Sequence, residues 1–173
     1  MAGGLHGRPS KCLVSLPAGQ SVIEQLRQFL DIDDDARRLG QKVWQVVAPS
    51  IDPVLDEFYR KVAEAGIEPQ LSDTAVRRLK LKQKVHWASL FHSEFDEQYV
   101  RGTQRMGIQH RDVGLSLSHY ISAYMVLKIE FANVIVRAAL PVLTKGLLIK
   151  TLDKYVALDM ALALSVYEAA VID

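Results

Sequence analysis

Apolar residues recur at three- and four-residue intervals along most of the chain from Ser21 onward, the spacing that gathers them on one face of a helix. The first stripe is Val22, Ile23, Leu26, Phe29 and Leu30, behind Ser21 as a good N-cap. The acidic run Asp31-Ile32-Asp33-Asp34-Asp35 suits the first turn of a second helix, whose apolar positions are Leu39, Val43, Val46 and Val47 with Trp44 beside them. Pro49 ends it. Ser50-Ile51-Asp52-Pro53 opens a third helix through Val54, Leu55, Phe58, Tyr59, Val62 and Ala65, and Gly66 stops it. After the irregular piece Ile67 to Asp73, a long helix is predicted from about Thr74 to His92. In it Leu79, Gln83, His86 and Leu90 align, while Val76, Leu81, Val85, Trp87 and Phe91 widen the apolar side. A helix from Asp96 to Val113 ends at Gly114, and Ser116 caps the next one, which runs to about Leu140 with Tyr120, Tyr124, Leu127 and Phe131 facing inward. Pro141 breaks it, and a last helix covers about Leu143 to Val171.

No alternating strand pattern appears, and glycine and proline mark helix ends rather than hairpins. The pattern predicts an all-α domain of about eight helices packed as crossing layers. Residues 1–20 hold Gly3, Gly4, Gly7, Pro9, Pro17 and Gly19 without periodicity and read as a flexible leader, leaving 21–173 as the domain. In the last helix Leu147, Leu148, Leu152, Tyr155, Val156, Leu158, Ala161 and Leu164 fill more than one face. A helix apolar on two sides usually packs on two neighbours. The last two helices, at about 116–140 and 143–171, are therefore expected to pack on a second copy as well, forming an antiparallel four-helix bundle in a homodimer.

Composition narrows the function classes. Of 173 residues, 49% are hydrophobic and 24% charged, as in a soluble globular protein. Lys plus Arg is 21 and Asp plus Glu is 20, so a net charge of +1 gives no electrostatic reason to expect nucleic acid. The single cysteine, Cys12, excludes an internal disulfide and fits a cytoplasmic setting. No apolar run reaches the ~20 residues of a membrane span, and no signal peptide is expected. There is no phosphate-binding glycine loop. The histidines, His6, His86, His92, His110 and His119, have no zinc spacing. The basic run Arg77, Arg78, Lys80, Lys82 and Lys84 is the usual solvated face, from which one or two residues are able to meet the carboxylates of a bound ligand.

One helix face carries candidate chemistry. Thr103, Met106, Gly107, His110 and Val113 share it, and it is small or apolar apart from one imidazole. Such a face suits a proximal haem ligand, which needs a neutral nitrogen donor among apolar walls. A histidine without further context is more often a core residue satisfied by hydrogen bonds, and spacing leaves that alternative open. Tyr59, in the middle of its inward stripe, is likewise more often core than ligand-facing.

Four groups of residues recur together in order: Glu57-Phe58-Tyr59-Arg60; Leu79 followed by His86-Trp87 and Leu90-Phe91; Phe95-Asp96-Glu97-Gln98-Tyr99-Val100; and Arg105 through Leu115 with Tyr120. Over about residues 20 to 171 the chain resembles the sensor globin domain of globin-coupled sensors. These are the haem-based oxygen receptors of aerotaxis transducers, diguanylate cyclases and histidine kinases.

The resemblance implies the globin fold in its sensor variant, with an extra N-terminal helix, and haem b (iron protoporphyrin) as cofactor. His110 is then the proximal iron ligand through Nε2, with Nδ1–H directed at a backbone carbonyl. Met106 and Val113 flank it, and Tyr120 is the proximal-side tyrosine. Tyr59 is the distal hydroxyl, which stabilises the partial charge dioxygen takes up at ferrous iron, and Phe58 packs at the haem edge. Leu79 is the apolar residue over the distal face. Some family members place a threonine three residues later, where this chain has Lys82. A charged lysine is disfavoured in an apolar pocket, so either Lys82 swings out towards a propionate or Gln83 lies inside. His86 is expected to be structural, a sixth iron ligand being the alternative.

The implied function is a non-enzymatic sensor binding O2, and also CO and NO, at a five-coordinate haem. It would signal through the dimer interface to a kinase, cyclase or chemotaxis output domain. Two alternatives stay open: a stand-alone globin with oxygen or nitric oxide chemistry, and a haem-free globin-like interaction module. The presence of both His110 and Tyr59 argues against the second.

Overall fold

The computed structural model describes residues 21–67 and 71–168. The expected leader over residues 1–20 and the end of the last helix at 169–171 lie outside the described residues. Among the described residues seven α-helices follow one another: α1 (Val22–Phe29), α2 (Asp34–Val47), α3 (Ile51–Glu64), α4 (Asp73–His92), α5 (Glu97–Asp112), α6 (Leu117–Arg137) and α7 (Val142–Glu168). A 3-10 turn, Ala48–Ser50, joins α2 to α3 at Pro49. Among the described residues there is no strand, so the all-α expectation holds, and α1 is the expected helix ahead of the rest.

Local chemistry sets the helix ends. Ser21 and Glu24 form a reciprocal capping box on α1. The side chains of Asp33, Ser72, Asp96 and Ser116 each accept the N–H three residues on, at the starts of α2, α4, α5 and α6. Each such cap stabilises its helix by about 1 kcal/mol. Gly114 has φ +81°, and its N–H bonds the Arg111 carbonyl while the Leu115 N–H bonds the His110 carbonyl. This pair of bonds is a Schellman termination, and it fixes the helix end that carries His110.

α7 is the centre of the fold. It packs along α5, α6 and α2 and touches α1 and α4. Leu148, Leu152, Tyr155, Val156, Leu158, Leu162 and Ala163 are buried along it. Its apolarity on several sides is therefore largely satisfied within one chain. Large apolar side chains left exposed include a set on α6 (Leu117, Ile121, Ile129, Val136) and at the start of α7 (Val142, Leu143, Leu147).

The walls of the molecule are held in two ways. Lys80 and Lys84 on α4 pair with Asp56 and Asp52 on α3, so part of the basic run is used inside the fold. In contrast α4 and α5, although consecutive, do not pack along each other. They diverge from a turn in which Phe95 adopts φ +56°. A bulky residue there costs about 1–3 kcal/mol. The buried ring offsets it by packing against Tyr99 at 5.5 Å and Tyr155 at 5.3 Å.

α5 lies unusually close to α7 at Gly107, where an added Cβ would stand 2.1 Å from the Ala163 carbonyl oxygen. Backbone cannot move aside as a flexible side chain can. Gly107→Ala should lower the unfolding free energy by about 3 kcal/mol. Gly102→Ala, on the same helix with nothing within 4 Å of the new carbon, should raise it by about 0.5–1 kcal/mol. Urea unfolding of the two variants checks the contrast.

Candidate functional site

His110 stands in the last turn of α5, half-buried, and its Nδ1–H donates to the Met106 carbonyl at 2.8 Å. A carbonyl only accepts, so this bond fixes the tautomer and puts the lone pair of the neutral ring on Nε2. The edge of Tyr120, buried on α6, meets the imidazole with ring centroids 5.0 Å apart. Arg111 donates to the Val166 carbonyl at 3.1 Å, fastening this end of α5 to α7. His110, Met106 and Tyr120 thus form one group. Val113, expected beside them, is the C-cap residue and is 71% exposed.

A second group forms on α3 and α4. Phe58 is buried and packs edge-on against Tyr59 at 5.1 Å. Burial pushes the Tyr59 hydroxyl up to about 12, with a hydrogen bond to Gln83 pulling the other way. It therefore keeps its proton at neutral pH and remains a donor. Gln83 Oε1 also accepts from Trp87 Nε1 at 2.7 Å, which fixes its orientation. Lys82 is exposed, and Leu79 is half-buried one turn before Gln83. Of the two residues left open by the sequence, Gln83 is turned inward against Trp87 while Lys82 faces solvent.

Between α4 and α5 runs a cleft of about 850 Å³, lined in part by Leu81, Lys82, Val85, His86, Tyr99 and Thr103. Leu81 is 63% and Val85 71% exposed, an unusual display of apolar surface. Tyr59, Gln83, Met106 and His110 are not on this lining. Among the described residues no group of three or more His, Cys, Asp or Glu side chains is placed to hold a metal ion. His110 is a single histidine donor outside this lining, and one such donor fits a metal that brings most of its own ligands.

Beneath the cleft lies a cluster that the sequence reading did not find. Asp159 on α7 is fully buried. Its Oδ2 accepts from His86 Nε2 at 2.7 Å and from the Tyr124 hydroxyl at 2.8 Å. Its Oδ1 accepts from the Tyr99 hydroxyl and from Thr103 at 3.2 Å. A carboxylate offers about four acceptor positions, and four donors from α4, α5 and α6 fill them. Burial opposes the charged carboxylate, but His86 and the hydroxyl donors outweigh it and hold Asp159 below its ordinary value. Burial also opposes a charged His86, and Asp159 outweighs it in turn, raising the imidazole. His86 is thus structural in this arrangement, as expected. The signal in the sequence was the one acid inside the otherwise apolar stretch from Val156 to Leu164.

The His86–Asp159 pair gives stability a definite pH dependence. The folded pKa of His86 lies above its unfolded 6.5, so its contribution is complete below pH 6.5 and is lost as pH rises through the folded value. Asp159 lies below 3.8, so its contribution is lost only as pH falls through the folded value. Unfolding free energy measured in urea should decline as pH rises above 6.5. His86→Gln, which keeps a donor but does not titrate, should remove that part of the decline.

Comparison with known proteins follows this geometry. Curated protein sequences give no match. Among solved structures, the chain is similar to the globin domain of a Geobacter sulfurreducens globin-coupled sensor, with 16% identity, TM-score 0.72, and 83% of this chain and 96% of that one covered. It is similar too to the globin domain of E. coli DosC. The ferric form gives 15% identity, TM-score 0.72 and coverage of 83% and 97%, and the ferrous form 16%, 0.69, and 82% and 96%. At such identities these likenesses establish the globin fold. The protoglobin family model matches residues 20–171, nearly the whole domain. The chain belongs to the protoglobin family.

Proposed function

We propose that the protein is a haem-based gas sensor domain. The observation that carries the reading is a tautomer-fixed His110 on α5, and a protonated Tyr59 hydroxyl on α3 supports it. Haem b, when bound, supplies an iron atom that takes up O2, and also CO or NO, reversibly. His110 holds the iron through Nε2, and the Met106 carbonyl keeps the ring from turning. Tyr120 packs against that ring, and Phe58 supports Tyr59 from behind. Tyr59, oriented by Gln83, donates to a diatomic ligand carrying negative charge. Lys82, exposed on α4, would meet a propionate, and Leu79 and Val113 would line the pocket. His86 is engaged by Asp159, which favours a five-coordinate resting iron.

The same reading takes the domain to be non-enzymatic and cytoplasmic, acting on an output module such as a kinase, cyclase or chemotaxis transducer. Among the described residues no helix is long and apolar enough to cross a membrane. The exposed stripe Leu117, Ile121, Ile129 and Val136 on α6, with Val142, Leu143 and Leu147 on α7, supports a homodimer whose interface carries the signal.

Three measurements test this. Purified protein reconstituted with haem should show a Soret band, and its absence would sink the reading. His110→Ala should lose the haem. Tyr59→Phe should keep it and speed O2 release about ten- to a hundredfold, the worth of a hydrogen bond to a charged acceptor, while CO release changes far less. Sedimentation should find a dimer, and a monomer in both liganded and unliganded states would remove the interface from the mechanism.

A further inference from the structure

Asp159 is a carboxylate without exposure, in the middle of the helix on which the fold is built. A core that needs only stability is served as well by apolar residues of the same volume. What an acid adds is direction, because each of its donors must stand at a fixed distance and angle.

Those donors lead to both groups of the candidate site. On one side Tyr124 donates to Asp159 at 2.8 Å and receives the Tyr120 hydroxyl at a long 3.4 Å. The Tyr120 ring in turn meets His110 at 5.0 Å. On the other side His86 donates to Asp159 at 2.7 Å. His86 packs edge-on against Trp87 at 5.4 Å, and Trp87 Nε1 donates at 2.7 Å to Gln83, the side chain that acts on the Tyr59 hydroxyl. Tyr99 and Thr103 hold α5 to the same carboxylate, so neither wall is able to shift without disturbing α7.

We propose that Asp159 is a positioning residue that sets both walls of the site from α7, reaching His110 through Tyr124 and Tyr120, and Tyr59 through His86, Trp87 and Gln83. The proposal rests on the haem reading. A change at either wall is thereby felt on α7, whose first turns carry part of the exposed apolar surface. Coupling of this kind is reciprocal, so α7 also acts back on the site.

The test uses the full chain loaded with haem. The iron–histidine stretch of the ferrous protein in resonance Raman reads the proximal wall, and the C–O stretch of the carbon monoxide complex reads the distal donor. Tyr124→Phe should move the first band alone. His86→Leu should move the second alone, and His86→Gln, which keeps a donor at that reach, should restore it. Asp159→Asn should move both and change O2 release on the order of fivefold. If Asp159→Asn leaves both bands in place, or if Tyr124→Phe and His86→Leu each move both bands equally, the cluster is a general brace and the proposal is overturned. If Asp159→Asn does not fold, the other two variants decide. If the native chain takes no haem, the function reading fails instead. The ring resonances of His110 and Tyr59 in the haem-free protein then give the same two readouts, with the same pattern expected.

Discussion

A carboxylate out of reach of water must find every hydrogen bond in the protein around it, and Asp159 on α7 makes that demand on α4, α5 and α6 at once. Removing a buried charge's partners is far more costly than leaving out the pair altogether. The cluster therefore acts as a single constraint. It fixes where α4 and α5 stand relative to α6 and α7 while letting α4 and α5 stay apart from each other. An open cleft between two otherwise adjacent helices needs such a foundation, because the ordinary outcome for two amphipathic helices joined by a short turn is to pack together.

The local features were legible in the sequence. Ser21, Asp33, Ser72, Asp96 and Ser116 cap helices because their side-chain oxygens reach an N–H three residues away, a relation confined to neighbours in sequence. Gly114 ends α5 because its backbone takes a positive φ without strain. The His110 face was legible for the same reason, since spacing within one helix decides which residues share it.

What the sequence hid was pairing between distant segments. Asp159 meets residues on α4, α5 and α6 that lie tens of positions earlier, and only the fold brings them together. The two-sided apolarity of α7 was equally ambiguous. A buried central helix and a helix shared between two copies carry the same pattern, and here the pattern is used chiefly within the chain. The exposed stripe on α6 now supports the dimer instead. The choice between Lys82 and Gln83 depended on the rotation of α4, which the ion pairs of Lys80 and Lys84 with α3 help to set.

The rotation of α4 has a further consequence. With Lys80 and Lys84 turned to α3 and Gln83 and Trp87 turned inward, Leu81 and Val85 are left on the cleft. Apolar side chains facing water forgo about 25 cal/mol for each Å² left uncovered. A flat apolar group entering between α4 and α5 would recover that, whereas closure of the cleft is opposed by the donors that hold both helices to Asp159. The exposed apolar surface and the cluster that keeps the slot open are therefore two results of one helix orientation.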